Sequence, residues 1–286
     1  SVSSYLANDY PNFDVVVIDN GSTDNTSEYV NEKWPEIFVL RTEKNLGYSG
    51  GFNLGLDYAF NQLQADYVLI TNNDVKADTT VVSALVETAY SYKDAGFVIG
   101  KVYYHESPDV LQTVGKSYDP KLWRGGHIGN KEIDEGQYDE VMERPWCDDI
   151  YWLVGREVYE KTGGYDTEFA FQAEDFEWQV RAKKFGYKIY YTPDAKIWHK
   201  ESMTIGKDSP LKQYYNARNP LVVYFMHQNP EQVKLIIYYK CRNNVLSTAR
   251  NIFKFKFNHC IKMWQGFFSA LFWAYKNNKL SFKTFI

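Results

Sequence analysis

The sequence predicts an α/β fold in which a mainly parallel sheet carries helices on both faces. Strand-like and helix-like segments alternate over about the first two hundred residues, as is typical of parallel sheets with helical crossovers. Of the 286 residues, 44% are hydrophobic and 24% are charged, which is usual for a folded chain of this length. Aromatic residues make up 17% and suit a packed core, a sugar-binding cleft or a membrane interface.

Five segments are predicted to be strands, because each is a run of β-branched or aromatic residues bounded by turn residues. They are residues 13–19, 37–42, 67–71, 97–104 and 188–193. Helical spacing occurs in residues 23–34, 50–63 and 78–92, with Asp24 and Asp78 as expected N-caps of the first and last of these. A further helix is expected from Glu174 to Gly186, and residues 105–147 are less regular and predict excursions over the sheet edge.

The C-terminal part of the chain has a different pattern. Beyond Pro210, apolar residues recur every three or four positions with Lys and Arg on the other face, which predicts a basic amphipathic helical extension over residues 207–286. This extension holds 13 Lys and Arg against two acids, a net charge of +11, and leaves 19 bases and 34 acids in the first 206 residues. Two interpretations stay open: helices that pack on the domain, and helices that lie on a membrane surface.

Cysteine usage and targeting signals bear on location. Cys147, Cys241 and Cys260 are too few and too widely spaced for a disulfide framework or a zinc site, so we expect a reducing, cytoplasmic setting. The first ten residues have neither the basic start nor the apolar core of a signal peptide. The apolar stretch 264–275 is shorter than the about 20 residues that span a bilayer, so no transmembrane helix is expected.

Polar residues follow two of the predicted strands, at the edge where open α/β sheets bind ligands. Asp19 follows the first strand directly, and Asn72, Asn73 and Asp74 follow the third. A turn would explain the second group, because Asn and Asp readily adopt turn geometry. A divalent-metal site would explain it as well, because Mg²⁺ and related ions prefer oxygen ligands.

A glycine-rich stretch, residues 44–56, precedes the second predicted helix. Gly47, Gly50 and Gly51 allow the backbone to approach a ligand closely, just ahead of a helix N-terminus that favours anions. Glycine-rich turns are common, so this stretch alone is a weak signal of function.

A second charged group lies in residues 170–200. Glu174 and Asp175 begin a predicted helix, and His199 lies beyond the strand that follows. Acids in a first turn are ordinary complements of the helix dipole, and a lone histidine is more often a structural hydrogen-bonding group than a ligand.

Taken together and in this order, the four stretches resemble the inverting glycosyltransferases of family two, which have the GT-A nucleotide-sugar-binding fold. The resemblance covers roughly residues 1–205. The motifs "NNDV" and "AED-F-E-W-x-x-R", followed by "G-Y-K-I-x-Y-x-P-D-A-x-I-W-H", look like those of bacterial rhamnosyltransferases and related enzymes of cell-surface polysaccharides. The joint pattern favours a metal site over a plain turn at Asn72–Asp74.

The resemblance implies a role for each residue. Asp175 would be the general base, with Glu174 beside it. Asp74 would bind the divalent ion, Mn²⁺ or Mg²⁺, that bridges the donor diphosphate, and His199 would complete the metal shell. Asp19 would contact the nucleobase. The residues expected to bind or border the nucleotide-sugar are Asp19, Asn45, Gly47, Gly50, Gly51, Asn53, Asn72 and Asn73.

Two departures from the family pattern accompany the resemblance. The chain begins in the family's first helix, so the first strand is expected to be missing from the catalytic domain, which spans residues 1–206. Asn72 stands where the family carries the first acid of its metal motif, and an amide oxygen is a poorer metal ligand than a carboxylate.

The implied function is a hexosyltransferase-type reaction. A sugar, with rhamnose as a candidate, would move from UDP or dTDP to a saccharide or polyprenyl-diphosphate-linked saccharide, with inversion. An anionic membrane surface is a further expected partner, nucleic acid is not, and a homo-oligomer is left open. Two rivals are a nucleotidyltransferase, which would need a basic Gly-rich loop after its first strand, and a non-catalytic GT-A-fold subunit of a polysaccharide-synthesis complex. The missing strand and Asn72 favour the second rival, whereas intact Asp74, Asp175 and His199 oppose it.

Overall fold

The computed structural model describes residues 1–200, 209–228 and 230–280, so residues 207, 208, 229 and 281–286 of the predicted extension lie outside the described residues. The helices in these ranges are α1 (Val2–Leu6), α2 (Thr26–Lys33), α3 (Gly47–Asp57), α4 (Val81–Ser91), α5 (Arg156–Thr162), α6 (Glu174–Lys184), α7 (Pro210–His227), α8 (Pro230–Phe253) and α9 (Phe257–Lys276). The strands are β1 (Val16–Asp19), β2 (Phe38–Arg41), β3 (Tyr67–Thr71), β4 (Val75–Ala77), β5 (Ala95–Tyr104), β6 (Ser107–Thr113), β7 (Lys116–Asp119), β8 (Trp123–His127), β9 (Met142–Arg144), β10 (Tyr151–Gly155) and β11 (Lys188–His199). One π-helical turn, Tyr58–Gln62, continues α3.

The main sheet has the strand order β3-β10-β5-β11-β4, with β6 on β5 and β9 on β11. Strand β10 is antiparallel to both β3 and β5, and β11 is parallel to β5, so the predicted strands β3, β5 and β11 all run in one direction. Strands β4, β6, β9 and β10, which were not predicted, run the other way. The α/β prediction is confirmed, but the sheet is mixed where the sequence predicts a mainly parallel one. Strands β1 and β2 form a separate parallel pair, and β7 and β8 form a hairpin.

Each face of the main sheet has its own apolar core, because alternate residues of a strand point to opposite faces. Phe97 of β5 stacks on Trp152 of β10 at a ring-centroid distance of 4.3 Å, and this face is covered by α3, α5 and α6. Val98 of β5 and Leu153 of β10 point to the other face, where Leu85 of α4 covers them. The prediction of helices on both faces is therefore confirmed.

A third core joins the C-terminal helices to the rest of the fold. Phe176 of α6 packs with Tyr224 of α7, and the same cluster includes buried residues of α8 and α9. Helices α7 and α9 approach closely, since a Cβ at Gly266 would collide with the carbonyl oxygen of Tyr214. The inner faces of these helices therefore pack on the domain, which is the first of the two interpretations of the extension.

Several predicted boundaries shift by a few residues. Asp24 and Asp78 accept hydrogen bonds from the backbone N–H groups of Thr26 and Thr80, each at 3.1 Å, and so form turns ahead of helices whose N-caps are Asn25 and Thr80. Asp24 lies one residue before its helix's N-cap and Asp78 lies two residues before, so neither is the N-cap that the sequence predicts. Gly186 ends its helix as expected, with a φ of +88°.

Candidate active site

Asp74 and His199 lie side by side, as the sequence predicts for a shared site. Asp74 follows β3, and His199 is the last residue of β11, which extends beyond the predicted strand end and pairs His199 with Val75 of β4. The Nε2 atom of His199 is 3.2 Å from Oδ1 of Asp74, and this hydrogen bond lowers the pKa of the Asp74 carboxyl. Nδ1 of His199 is 2.9 Å from Oε1 of Gln112, which fixes the orientation of the imidazole ring.

The spacing of this pair fits a divalent cation. Neighbouring ligands of an octahedral ion lie about 3 Å apart when each is about 2.1 Å from the metal, close to the 3.2 Å between Oδ1 and Nε2. Oε1 of Gln112 can accept a hydrogen bond from Nδ1 of His199, and metal-ligating histidines usually have such a partner for their second ring nitrogen. Within the described residues there is no cluster of three or more His, Cys, Asp and Glu that could hold a metal. Asp74 and His199 thus present one oxygen and one nitrogen donor at this distance, and their role as metal ligands stays a prediction.

The two asparagines of the same stretch face different partners. The backbone N–H of Asn72 donates to the carbonyl of Ile150 at 3.0 Å, and its Oδ1 accepts from the hydroxyl of Tyr48 at 3.3 Å. Asn73 is exposed. The structure thus directs the Asn72 amide to the N-terminal turn of α3, and the donor-binding roles of both asparagines stay predictions.

The glycine-rich stretch forms the first turns of α3, which begins at Gly47 and not after it as expected. Asn20 holds this start: its Nδ2 donates to the carbonyl of Gly47 and its Oδ1 accepts from Leu46 N–H, both at 2.8 Å. Gly47 has a φ of +74°, which favours glycine, and Asn45 Oδ1 accepts from its N–H at 2.8 Å. A Cβ at Gly51 would lie 2.9 Å from the Asn20 amide. Asn20, which sequence reasoning missed, therefore ties β1 to this loop.

Asp19 and Asn53 are both engaged by protein partners. Asp19 is 2% exposed, and its carboxylate accepts from Ser22 N–H at 2.9 Å and from the hydroxyl of Ser27. Burial alone would raise the pKa of Asp19, but these hydrogen bonds outweigh it and lower that pKa. The amide of Asn53 binds both the N–H and the carbonyl of Tyr165, each at 2.8 Å. Their contacts with a nucleotide-sugar stay predictions.

Asp175 is buried in the first turn of α6, and Arg124 of β8 binds both of its oxygens. One guanidinium nitrogen is 3.2 Å from Oδ1, and the other also donates to the Cys147 carbonyl at 2.5 Å and to Asp148 Oδ1 at 3.3 Å. The guanidinium lies 5.3 Å from the ring centre of Phe176. Arg124 therefore fixes the orientation of the Asp175 carboxylate.

Sequence reasoning missed Arg124, Asp148 and Asp149. Arg124 lies in the irregular region and has no motif around it. Asp148 and Asp149 come directly before β10, so two acids next to an apolar run are a signal that could have been used. Because β10 is antiparallel to its neighbours, its start lies at the same edge as the ends of β3 and β5.

Two carboxyl groups near Asp175 favour their protonated forms. Burial, together with the charge of Asp175, raises the pKa of Asp149 to about 8, and the hydroxyl of Tyr165 donates to its Oδ2 at 3.1 Å. Burial and the nearby Asp149 and Asp175 also raise the pKa of Glu174 well above its usual value. Among the described residues, Oε2 of Glu174 has no hydrogen-bond partner. The site thus combines a guanidinium-bound carboxylate with two buried carboxyl groups whose raised pKa favours the protonated form, which can donate a hydrogen bond.

The α/β sheet carries acids, a glycine-bearing helix start and an Asp–His pair at the edge where open α/β folds bind their ligands, as expected of the GT-A class of nucleotide-sugar transferases. Solved structures agree. A mannosyltransferase from Pyrobaculum calidifontis, in complex with GDP-Man and Mn²⁺, aligns with a TM-score of 0.52 over 94% of this chain and 81% of its own. GalNAc-T7 with UDP, GalNAc and Mn²⁺ aligns with a TM-score of 0.53 over 73% of this chain and 44% of its own. Both are 15% identical to this chain, so the likeness establishes the GT-A fold alone.

The chain belongs to glycosyl transferase family 2, whose family model matches residues 1–161. A curated relative from Mycobacterium tuberculosis, an N-acetylglucosaminyl-diphospho-decaprenol L-rhamnosyltransferase, is 28% identical over 213 residues, 68% of either chain. A poly-β-1,6-N-acetyl-D-glucosamine synthase from Staphylococcus epidermidis is 23% identical, over 72% of this chain and 47% of its own. The predicted family is confirmed, and the protein is an enzyme, a glycosyltransferase.

Proposed function

We propose that this glycosyltransferase moves a sugar from a nucleoside diphosphate to a lipid-linked saccharide, with inversion and with Asp175 as the general base. One observation carries the proposal. In a chain of family 2, a buried Asp175 with a fixed orientation lies at the same edge of the sheet as the Asp74–His199 pair. The mycobacterial relative is named for the transfer of L-rhamnose to a decaprenyl-diphosphate-linked N-acetylglucosamine, which supports rhamnose as the sugar and a lipid-linked acceptor. The similarity to a poly-β-1,6-N-acetyl-D-glucosamine synthase supports a role in polysaccharide synthesis, and UDP or dTDP is proposed as the nucleotide from the family resemblance.

Asp74 and His199 are the residues that would hold Mn²⁺ or Mg²⁺. Bound there, the ion would act as a Lewis acid toward the leaving diphosphate, whose negative charge grows as the glycosidic bond breaks. The two similar solved structures, the mannosyltransferase and GalNAc-T7, are both complexes with Mn²⁺, which supports this assignment.

The remaining chemistry falls to the side chains around Asp175. An acceptor hydroxyl must come within hydrogen-bonding reach of a base, and Asp175 would take its proton as the hydroxyl oxygen attacks the anomeric carbon. Arg124 keeps the Asp175 carboxylate in one orientation. Because its guanidinium binds both carboxylate oxygens, one of these oxygens must also accept the hydrogen bond of the incoming hydroxyl. Asp149, with a pKa of about 8, is mostly protonated at neutral pH and can donate a hydrogen bond to the acceptor sugar.

A donor panel tests this function. We expect the protein, with Mn²⁺ and a polyprenyl-diphosphate-linked N-acetylglucosamine, to release nucleotide from one UDP- or dTDP-sugar, with dTDP-rhamnose first in the panel. Release should rise with acceptor concentration, and a new glycolipid should appear in equal amount. Binding of a donor without release or product, for every donor and acceptor tried, would favour the non-catalytic subunit.

We also propose that the outer face of α8 and α9 lies on an anionic membrane at its cytoplasmic side. None of the described helices is long and apolar enough to cross a bilayer. Large apolar residues are nevertheless exposed on this face: Leu235, Tyr238, Val245, Leu246, Ile252, Phe253, Phe257, Ile261, Phe268 and Phe272. Residues 230–280 hold nine Lys and Arg and one acid, Glu231. Each basic residue near an anionic surface contributes about 1 kcal/mol.

The aromatic residues of α9 divide between its two faces. Phe267 is buried in the third core, and Trp264 donates to the hydroxyl of Thr248 on α8 at 2.9 Å. Phe268 and Phe272 are 58% and 68% exposed and line a shallow groove with Ile261. These two phenylalanines, and not the whole aromatic cluster, are the residues that would enter the headgroup region.

Vesicle binding is expected to depend on these two side chains. The protein should co-sediment with phosphatidylglycerol-containing vesicles at low salt and leave them as salt rises, because exposed charges are screened. Replacing Phe268→Ser and Phe272→Ser together should weaken binding about tenfold or more, since burying each phenylalanine is worth about 1.5–3 kcal/mol. Tyr90→Ser is the matched control, because Tyr90 is 83% exposed on α4, away from this face. Equal binding to neutral vesicles, or a salt-independent dimer that needs Phe268 and Phe272, would contradict the membrane assignment.

A further inference from the structure

The segment that leads into Glu174 and Asp175 has an unusual backbone. Gln172 and Ala173 have φ values of +67° and +70°, in the left-handed region that side-chain-bearing residues rarely adopt. Such a conformation persists only where its surroundings hold it, and it often occurs beside functional residues. Ala173 is also the N-cap of α6, so its conformation sets the direction of the first helical turn, from which both acids project.

A single buried side chain of α7 holds this segment. Asn219 is 0% exposed, and its Nδ2 donates to the carbonyls of Phe171 at 2.7 Å and Gln172 at 2.9 Å. Its Oδ1 accepts from the guanidinium of Arg218 at 2.6 Å, and Arg218 in turn pairs with Glu168 at the start of the same segment. Arg218 therefore fixes which end of the amide faces the two carbonyls, since only the NH₂ end can donate to them.

The other end of the segment is held by α3. Tyr48 N–H donates to the carbonyl of Ala170 at 2.9 Å, and the hydroxyl of Ser49 donates to the carbonyl of Phe169. Helix α3 thus binds the carbonyls of residues 169 and 170, and Asn219 of α7 binds those of residues 171 and 172. Among the described residues, the hydrogen bonds of Asp74 and His199 outside the sheet ladder are with Gln112, Lys200, His105 and each other, so they do not include this segment.

We propose that Asn219 is a positioning residue for the catalytic base. By holding the carbonyls of Phe171 and Gln172, it keeps Gln172 and Ala173 left-handed and so keeps the Asp175 carboxylate where an acceptor hydroxyl can reach it. Arg218 supports this role through the amide. The inference rests on the proposed function of Asp175, and it makes α7 part of the catalytic machinery although none of its residues needs to touch a substrate.

Asn219→Ser tests the inference, because serine fits the space and cannot reach both carbonyls. We expect kcat to fall about 10- to 100-fold, since misplacing a catalytic group by about 1 Å can cost about 100-fold. The donor Kd should stay within about threefold, because the donor diphosphate is assigned to other elements. Arg218→Lys keeps the charge but loses the planar fork that orients the amide, and it should give a smaller loss in the same direction.

A glycine in the strained segment provides a readout that a merely structural role would not give. Glycine adopts the left-handed conformation without steric cost, so Ala173→Gly added to Asn219→Ser should restore a large part of the lost kcat. Asn244→Ser is the matched control: Asn244 is a buried asparagine of α8 whose Nδ2 has no partner among the described residues. Its kcat should equal that of the unaltered enzyme.

Three results would overturn the proposal. One is an Asn219→Ser protein with the original kcat. Another is a donor Kd that rises in step with the loss of kcat. The third is a loss that glycine at position 173 does not reverse. Full activity of Asp175→Asn would overturn the general-base role and this inference with it, whereas an inactive Asp175→Asn beside a fully active Asn219→Ser would overturn this inference alone.

Discussion

Asp175→Asn should reduce kcat for sugar transfer by about 10²- to 10⁴-fold, the usual contribution of a general base. Asparagine has nearly the same shape and keeps an oxygen for Arg124, but it cannot take a proton from the acceptor hydroxyl. The donor Kd should change only a few-fold, because the base acts on the acceptor and not on the diphosphate. Acceptor-dependent nucleotide release gives kcat, and calorimetric titration with donor gives the Kd.

The neighbouring acid supplies the control for this variant. Glu174→Gln makes the same chemical change one residue earlier in α6. Its loss should be clearly smaller, because burial raises the pKa of Glu174 and so favours the protonated form of this carboxyl, which cannot act as a base. If Asp175→Asn kept more than about a tenth of the original kcat, a loss smaller than general-base catalysis normally supplies, the assignment of the base would be wrong.

Asp74→Asn should weaken the affinity for a nucleoside diphosphate in Mn²⁺ by about 10- to 100-fold or more. Loss of a residue that only hydrogen-bonds a metal ligand already costs about 10- to 100-fold in metal affinity, and Asp74 is assigned as a ligand itself. His199→Leu should act in the same direction, because it removes the nitrogen that faces Asp74 Oδ1 at 3.2 Å. Affinity for the nucleoside without phosphates should be unchanged in both variants. Calorimetry with and without Mn²⁺ separates the two affinities.

The control here is Glu106→Gln, which removes a carboxylate whose side chain is 90% exposed and should leave both affinities unchanged. Excess chelator should abolish transfer by the unaltered enzyme and added Mn²⁺ or Mg²⁺ should restore it. Full transfer activity in excess chelator would contradict the assignment of Asp74 and His199 as metal ligands.

The parts of the fold that could be predicted from the sequence are those with a local signal. Strands β3, β5 and β11 each contain an apolar run, because residues on both of their faces pack in the two cores of the sheet, although β3 lies at one edge of it. The edge strand β4 has only three residues, and β6 begins with exposed Ser107, Pro108 and Asp109, so neither gives a clear apolar run. Their antiparallel pairing follows from tertiary contacts that no local pattern encodes.

The residues of the candidate site also divide into those that the sequence predicts and those that it does not. Acids and amides at the ends of apolar runs could be found by position, as were Asp19 and Asp74, whereas Asp175 in the first turn of a helix is singled out only by the family resemblance. Arg124 could not, because its contact with Asp175 depends on a hairpin whose turn places Trp123 at a φ of +64°. The left-handed pair Gln172–Ala173 contains neither Gly nor Asn, the residues from which positive φ is normally inferred.

The position of β11 has a consequence for how the chain is made. This strand is the last of the sheet in sequence but lies between β5 and β4, and it carries His199 at its end. In the described sheet β4 pairs with β11 alone, so a nascent chain still attached to the ribosome cannot close this side of the sheet until residue 199 has left the exit tunnel. Until that moment the apolar edge of β5 needs protection from other growing chains, which is the work of chaperones. The His199 contact of Asp74 therefore forms only after nearly all of the sheet has been made, and a polypeptide released before residue 199 would lack it.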